Sequence, residues 1–403
     1  MFQIAEGLPL RAQTRGTSAS GNLTHSRTML LRAACFLVLM CILAAGLWPF
    51  HAPKNDVTWL NQKSGILFGK HGSIVSSGSF KARASQGDNS CSLEIWLKPS
   101  RVDSGGMILA YYRPENRVVP FALRQYRGGL VVERNFESRF EGKAEIYVGG
   151  VFSIQKSVFV TITSGAAGTA AYVDGTLVKK VPYFTFSNQD LTGQFVVGNP
   201  PSKTYNWSGQ LKGLAVYDRE LSPAEVSQHF LDWTNFGQPT SAQSESVVAR
   251  YLFNEENGNV VHNQIDSATD LLIPERFFVL HELFLERPWD EFRPTRSYWK
   301  NFGINIVGFI PLGFLFYAYF SQLRKSGYPA GLTIALGFVV SLTIEVLQSL
   351  LPTRDSGMTD LFTNTFGTAL GAVLCVWSTR YNWFARAGIS FALLNEEEDG
   401  HVG

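Results

Sequence analysis

The chain has 403 residues and a formal net charge of only +2. This length allows two or three domains. The near-neutral charge argues against nucleic acid as a partner. Of the four cysteines, Cys35 and Cys41 lie in a first long apolar run and Cys375 in the last one, which leaves Cys91 alone in the polar middle. The cysteines therefore indicate neither a disulfide framework nor a metal site.

The amino-terminal part is a polar segment followed by an apolar run. We interpret residues 1–28 as a disordered cytoplasmic tail, because they show little apolar patterning. Residues 29–50 are long enough for a first transmembrane helix. A cleaved signal peptide is the alternative, since Ala44-Ala45-Gly46 has the composition of a processing site. Trp48 and Phe50 favour a retained span, because aromatic side chains anchor helices at the membrane interface.

The polar middle, 55–274, is predicted to be an all-β domain. Apolar and polar residues alternate over Ser92–Pro99, Gly129–Phe136 and Val158–Thr163. Asp174-Gly175 stands between two alternating runs and predicts a hairpin. Many short strands with turn residues between them indicate a two-sheet jelly roll. Downstream, the Ser-Pro-Ala-Glu sequence from Ser222 predicts the start of a helix.

Several of these segments carry a family resemblance. The all-β region is similar to the laminin-G-like, concanavalin-A-like jelly-roll family at Ser92–Pro99, Tyr172–Val178, Trp207–Phe230 and Ala249–Val261. The resemblance implies a ligand that is a carbohydrate or a protein. In some relatives calcium assists this binding, and others are glycanases. We expect no resident cofactor, and calcium in the jelly roll stays open.

The carboxylates of this domain do not form a glycanase motif. Glu94 is alone on its strand, and Glu133 and Glu137 are not spaced like a catalytic pair. Asp174 is interpreted as a turn residue. The large aromatic residues are interpreted as core packing, and these are Trp96, Trp207 and Tyr217.

Residues 275–300 are predicted to be an interfacial amphipathic segment. Phe277, Leu280 and Phe284 recur at helical spacing among charged residues, which is typical of a helix on the outer membrane surface. His281 on this segment is interpreted as structural or solvated.

Residues 301–380 contain three more apolar runs of membrane length, at 302–320, 330–351 and 361–377. Arg324 and Lys325 follow the first of these runs, and arginines follow the last. The positive-inside rule then places both termini, including a tail at 381–403, in the cytoplasm. We therefore expect a multi-pass protein of the plasma (inner) membrane with an extracytoplasmic jelly roll.

Polar residues interrupt these apolar runs where they approach the outer leaflet. A charged side chain inside a bilayer is unfavourable by about 2.5–3.5 kcal/mol and usually marks a functional site. Small residues such as Gly308, Gly337 and Gly367 continue the same helix faces inward. We predict one ligand-binding polar cluster formed by Asn305, Glu345, Gln348, Arg354, Asp360 and Asn364.

The cluster also carries a second resemblance. Asn305–Phe316, the Glu345-x-x-Gln348 pair and Asn364–Gly371 resemble the VanZ-like membrane family. This family is named for a component that modestly raises resistance to glycopeptide antibiotics, which implies a bacterial cell envelope. The jelly roll is then an insertion between the first and second spans.

The sequence therefore predicts a membrane α-helical protein with about four spans and an all-β jelly-roll domain. Our first hypothesis is that the cluster binds an envelope lipid or a lipid-linked glycan headgroup, while the jelly roll binds a glycan or an envelope protein. A second is a membrane enzyme that uses Glu345 or Asp360 as acid and base on a lipid-linked glycan or a phospholipid. A third is a purely structural polar network in an adhesion or assembly protein. The sequence leaves the oligomeric state undetermined.

Overall fold

The computed structural model describes residues 17–61, 64–81, 89–103, 105–136, 144–201, 205–239, 246–292, 294–323 and 327–380. The chain forms two compact units. The helical unit comprises Met1–Trp48, Phe284–Ser349 and Ser356–Gly403, and the β unit comprises Pro49–Leu283 and Leu350–Asp355. The predicted tails at 1–16 and 381–403, and the topology-setting Arg324 and Lys325, lie outside the described residues.

The β unit is built on two antiparallel sheets. The strands of the first sheet are β1 (Val57–Trp59), β2 (Ile66–Phe68), β4 (Cys91–Pro99), β9 (Val158–Gly165), β10 (Gly168–Val173), β11 (Thr176–Val181), β13 (Gly209–Tyr217) and β14 (Val247–Tyr251). Their order is β1-β2-β13-β4-β9-β10-β11, with β14 also pairing with β13.

The second sheet has the order β15-β16-β3-β12-β5-β6-β7-β8. Its strands are β3 (Ile74–Phe80), β5 (Gly105–Arg113), β6 (Val118–Tyr126), β7 (Gly129–Arg134), β8 (Ala144–Val148), β12 (Gly193–Val197), β15 (Val260–Val261) and β16 (Leu271–Leu272). This architecture confirms the predicted all-β sandwich.

The core lies between the two sheets, because alternate residues of each strand point inward. On β7, for example, Leu130 and Val132 join the main apolar cluster. Phe121 and Tyr111 join it from β6 and β5, and Trp207 is 1% exposed. Cys91 is buried in the same cluster, which explains why a lone cysteine is tolerated there.

The predicted hairpin and helix start are both present. Val173 pairs with Thr176 across the Asp174-Gly175 turn, and both turn residues have the positive φ that such a turn requires. Helix α2 runs over Pro223–Phe236, and Ser222 and Glu225 form its capping box.

Helix α2 covers part of the first sheet, and a buried hydrogen-bond network around Glu94, here called the polar knot, links the two. Glu94 of β4 is fully buried. It accepts hydrogen bonds from Tyr217 at 2.8 Å and from Trp233 at 3.1 Å. The Nδ1 atom of His229 lies 2.9 Å from its other oxygen. Glu94, the carboxylate that stands alone on its strand, therefore has a structural role.

Among the described residues, the helical unit contains four helices long and apolar enough to cross a membrane. They are α1 (Thr17–Leu47), α4 (Arg296–Ser321), α5 (Pro329–Gln348) and α6 (Met358–Arg380), and a short helix, α3 (Pro288–Glu291), precedes α4. In α1 the membrane-length part is Thr28–Leu47.

Helices α4, α5 and α6 approach closely at small residues. A Cβ atom on Gly367 would collide with the carbonyl oxygen of Ile306, and one on Gly371 with that of Ile310. A Cβ atom on Gly337 would collide with the side chain of Thr368. Such glycines allow helix backbones to meet in a membrane. Gly308, predicted to share this role, is different, because a Cβ there would meet nothing within 4 Å.

Two predicted segments differ from the structure. Helix α1 already begins at Thr17, so the expectation that all of 1–28 is a disordered tail is wrong for residues 17–28. The amphipathic helix expected over 275–300 is also absent: residues 274–287 are not helical, and only α3 and the start of α4 follow them. Phe277 is fully buried and Leu280 packs on the second sheet, so their spacing reflects coverage of the β unit.

Candidate functional site

The amino-terminal end of α6 is where the polar groups of the helical unit gather. The first N–H groups of a helix have no partners inside the helix. Here the N–H of Gly357 donates to Glu345 Oε2 at 2.8 Å, and that of Met358 to the carbonyl oxygen of Glu286 at 2.9 Å. The N–H of Thr359 donates to Glu291 Oε2 at 3.0 Å. Carboxylates from α5 and α3 thus cap α6.

Negative charge accumulates at this end of the helix. Asp360 lies in the first turn of α6, which gives three carboxylates with Glu345 and Glu291. The helix macrodipole supplies only about half a positive charge there. Within the described residues, no ion pair joins Glu345 or Glu291 to a lysine or an arginine. Three carboxyl groups therefore lie close together at this helix end.

The carboxyl group of Glu291 shows the effect of this crowding. Its pKa is raised above the ordinary value, mainly by burial, and the negative charges of Asp360 and Glu286 add to the shift. The hydrogen bond from Thr359 acts in the opposite direction without cancelling it. The group consequently holds a proton more readily than a free glutamic acid does.

The amide side chains of the predicted cluster connect pairs of helices. Asn305 of α4 donates through Nδ2 to Asp360 Oδ1 at 2.7 Å. Asn364 of α6 donates to the Ser341 hydroxyl of α5 at 2.9 Å. Gln348 at the end of α5 donates to the carbonyl oxygen of Gly46 in α1 at 2.7 Å. Each amide therefore links helices that lie apart in the sequence.

The six predicted residues are only partly brought together. Asn305 and Asp360 are in direct contact, and Glu345 binds the residue that precedes α6. Asn364 lies one turn after Asp360, and its buried Oδ1 accepts no hydrogen bond within the described residues. Gln348 bonds instead to α1. Arg354 belongs to the Leu350–Asp355 segment of the β unit, so its pairing with Glu345 stays a prediction.

Sequence reasoning missed several residues that complete the site. Glu286 and Glu291 lie in the segment 275–300 that was predicted to be interfacial. Ser356 and Gly357 lie between two predicted spans. A membrane helix that begins at 358 needs acceptors for its first N–H groups. Glu286 and Glu291, which precede the apolar run at 302–320, are acidic residues that can supply such acceptors.

This arrangement can bind a donor-rich ligand or hold a proton. Glu345 is 1% exposed and lies in the last turn of α5. Within the described residues, no group of three or more His, Cys, Asp or Glu side chains is arranged to hold a metal ion.

The carboxylates considered for catalysis in the β unit have other partners. Glu133 is fully buried and accepts two hydrogen bonds from Arg124, at 3.0 and 2.8 Å. Glu94 belongs to the knot under α2. Glu137 lies outside the described residues.

Comparison with known proteins adds two family matches. Residues 246–379 match the VanZ/LLP1 family model. Residues 73–227 match the model of the concanavalin A-like lectin/glucanases superfamily. No curated protein matches the chain.

Several solved structures are similar to part of the chain. A protein from Bacteroides ovatus described as carbohydrate binding has 14% identity and a TM-score of 0.37, over 54% of this chain and 58% of that one. The ligand binding domain of botulinum neurotoxin serotype D, in complex with N-acetylneuraminic acid, has 12% identity and a TM-score of 0.33, over 44% and 45%. A SAP-like pentraxin from Limulus polyphemus has 14% identity and a TM-score of 0.33, over 55% and 97%.

This chain thus spans about half of the first two of these proteins. The family matches include residues of both units, and the four long apolar helices among the described residues indicate a membrane protein. The chain combines a VanZ-like membrane region with a concanavalin-A-like domain, as the sequence predicted.

Proposed function

We propose that this is a multi-pass protein of the bacterial cell envelope that holds a polar lipid headgroup at the outer leaflet and recognises a glycan with its β unit. The membrane site is the acidic end of α6. The observation that carries this proposal is the convergence of Glu345 and Glu291 on the first N–H groups of that helix, with Asp360 in its first turn.

Charge decides which headgroup chemistry suits the site. Three carboxylates oppose a bound phosphate, because like charges repel strongly where water is scarce. They favour a ligand that brings hydrogen-bond donors or a positive charge. Asn305 and Asn364 add polar atoms on the neighbouring turns. The headgroup we expect is therefore rich in hydroxyl or ammonium groups.

Two sources carry such chemistry. One is an envelope lipid with an amine headgroup, and the other is the sugar part of a lipid-linked glycan precursor. In either ligand the hydroxyl or ammonium end, and not a phosphate, would face the carboxylates. They differ in mass and in lipid tail, so mass spectrometry of the purified protein separates them.

The experiment compares wild type with Glu345→Gln and Thr343→Val, each purified as the full chain in lipid nanodiscs. Gln keeps an acceptor for the N–H of Gly357 but removes the charge. Thr343 lies on the same helix, is exposed, and bonds only to its own helix backbone in the described contacts, so it is the matched control. We expect native mass spectrometry to find a bound lipid in wild type and Thr343→Val, and much less in Glu345→Gln.

The outcome also separates the two other hypotheses. If no lipid copurifies and Glu345→Gln only lowers the melting temperature, the cluster is a structural network. The hydrogen bonds that Asn305, Gln348 and Asn364 make between helices favour this structural hypothesis. If wild type converts a copurified lipid and Glu345→Gln accumulates it unchanged, the site is an enzyme whose acid or base is Glu345, with Asp360 in an unlike environment beside Asn305.

The orientation has its own test. Tyr183 of the β unit is 92% exposed, and Cys35, Cys91 and Cys375 are buried. A Tyr183→Cys variant in a Cys41→Ser background should react with a membrane-impermeant maleimide in intact cells. Labelling only after lysis would place the β unit in the cytoplasm and contradict the proposal.

A further inference from the structure

Three tyrosines lie at one end of the outer face of the second sheet, the face turned away from the core. Gly105 of β5 pairs with Tyr126 of β6, which pairs in turn with Gly129 of β7. The Tyr205 hydroxyl lies where a Cβ of Gly105 would be, and the Tyr147 ring lies where a Cβ of Gly129 would be. Glycines on both sides of Tyr126 therefore make room for aromatic rings to lie across the strands.

Two of these rings form a corner that is open to solvent. The rings of Tyr126 and Tyr147 have centroids 6.4 Å apart and planes at 76°. Their exposed fractions are 46% and 45%, and that of Tyr205 is 36%. Large aromatic side chains this exposed are unusual within a regular sheet, where their burial would stabilise the fold.

An apolar part of this outer face is covered by other segments of the chain. Met107, Ala110, Tyr112, Val119 and Ala122 form a small apolar cluster under Phe136 and Leu280. The chain thus shields the apolar part of the face with its own segments and leaves the tyrosines uncovered.

Rigid polar groups stand beside the corner. Arg124 is held by two hydrogen bonds to the buried Glu133, and Glu145 lies 3.6 Å from the same guanidinium. The guanidinium of Arg124 also lies 5.9 Å from the centre of the Tyr126 ring. Two carboxylates face the guanidinium of Arg124, and the guanidinium of Arg127 lies 5.6 Å from the centre of the same ring, so this side of the corner offers directed hydrogen bonds from groups of both signs.

The hairpin that presents Tyr126 is anchored from the core side. Gln125 is 2% exposed and donates to the carbonyl oxygens of Arg101 and Arg127, while Trp207 donates to it at 2.9 Å. Tyr147 lies on β8, and Lys179 of β11 in the first sheet donates to its carbonyl oxygen at 2.6 Å. The corner is therefore built in advance of any ligand, which reduces the entropy lost on binding.

We propose that the corner formed by Tyr126 and Tyr147, with Tyr205 and Arg124 at its sides, is a binding site for a neutral glycan chain. Sugar rings present apolar C–H faces that stack on aromatic rings and hydroxyl edges that bond to planar polar groups. The row from Gly105 to Gly129 crosses two strand spacings, about 10 Å, which is comparable to two linked pyranose rings. Directed polar bonds disfavour insertion into lipid, because insertion would leave those groups without water.

The inference rests on the proposal that the β unit recognises glycans, and the test separates the two. Full-length protein in detergent micelles is titrated calorimetrically with cellohexaose and chitohexaose as neutral probes, and with hexagalacturonate as an acidic one. We expect wild type to bind at least one neutral probe. Tyr147→Ala and Tyr126→Ala should weaken that binding by about ten-fold or more. Tyr147→Phe keeps the ring and should retain most of it.

Tyr183→Ala is the matched control, since Tyr183 is 92% exposed and lies outside the corner. Its binding should equal that of wild type. If wild type binds a neutral probe and Tyr147→Ala binds equally well, the site assignment is wrong while glycan recognition stands. If wild type binds no probe, both fail. Binding of the acidic probe alone would overturn the neutral class of ligand.

Discussion

The backbone N–H of Gly357 donates a 2.8 Å hydrogen bond to the carboxylate of Glu345, twelve positions earlier in the chain. This contact gives a physical reason for a buried acidic side chain in a membrane helix. Glu345 supplies an acceptor that the first turn of α6 lacks, and the helix end stabilises its charge. A second carboxylate, from Glu291, does the same for Thr359.

Removal of the Glu345 side chain should destabilise the helical unit. In Glu345→Ala the N–H of Gly357 loses its acceptor in a buried place, which costs about 1–3 kcal/mol. Glu345→Gln retains an acceptor and should lose much less. Thermal unfolding in detergent, followed by tryptophan fluorescence, measures the difference. Equal melting temperatures for Ala and Gln would show that this hydrogen bond contributes little.

Because α4 and α6 approach closely, we predict that replacement of a glycine by alanine destabilises the protein at Gly367 but not at Gly308. Gly367→Ala would place a methyl group against the carbonyl oxygen of Ile306, and overpacking of this kind costs about 1–3 kcal/mol. Gly308→Ala is the matched control on α4, since a Cβ there meets nothing within 4 Å and alanine favours the helix. We expect a lower melting temperature for the first variant and no decrease for the second. The opposite order would contradict this helix packing.

The knot around Glu94 should hold α2 on the first sheet. Glu94→Ala leaves Tyr217, Trp233 and His229 without their shared acceptor in a dry environment. Loss of one partner from such a buried network costs about 3–5 kcal/mol. Urea unfolding of the full chain, monitored by tryptophan emission, should show an earlier transition of the β unit. An unchanged midpoint would indicate that water replaces the carboxylate freely.

The capping carboxylate of α2 predicts a pH dependence. Arg219, with two hydrogen bonds to Glu225, is the main reason that the pKa of Glu225 falls from 4.5 to about 2. A lowered pKa in the folded state stabilises the protein above the unfolded value, and this stabilisation is lost as pH falls through the folded value. Wild type should therefore exceed Glu225→Gln in stability above pH 4.5, and the difference should shrink towards about pH 2. A pH-independent difference between the two melting curves would rule out this titration.

The sequence predicted the elements whose patterns are local. Alternation located strands such as β4 and β9, and the Asp174-Gly175 pair located their neighbouring hairpin. Long apolar runs located the four membrane-length helices. The helix predicted after Pro274 is wrong because of tertiary packing. Phe277 and Leu280 have helical spacing, but their side chains cover the β unit, and this packing outweighs the periodic pattern.

The candidate site was predictable only in part for a similar reason. Buried carboxylates in apolar runs identified Glu345 and Asp360, because such residues are unfavourable in lipid. Glu345 accepts from the backbone N–H of Gly357, Asp360 accepts from the side chain of Asn305, and the N–H of Thr359 is bound by a glutamate from a separate short helix. Spacing along one helix carries no information about such partners. The tyrosine corner was missed as well, since it depends on cross-strand neighbours of Gly129 and Gly105 that only the register reveals.

The most direct test of the central claim is a high-resolution structure of the full chain in nanodiscs made from its native membrane. We expect headgroup density within hydrogen-bond distance of Asp360 and Glu345 at the start of α6, and loss of that density in Glu345→Gln. A map that shows these carboxylates contacting only protein groups, with every ordered lipid elsewhere on the helical unit, would contradict it.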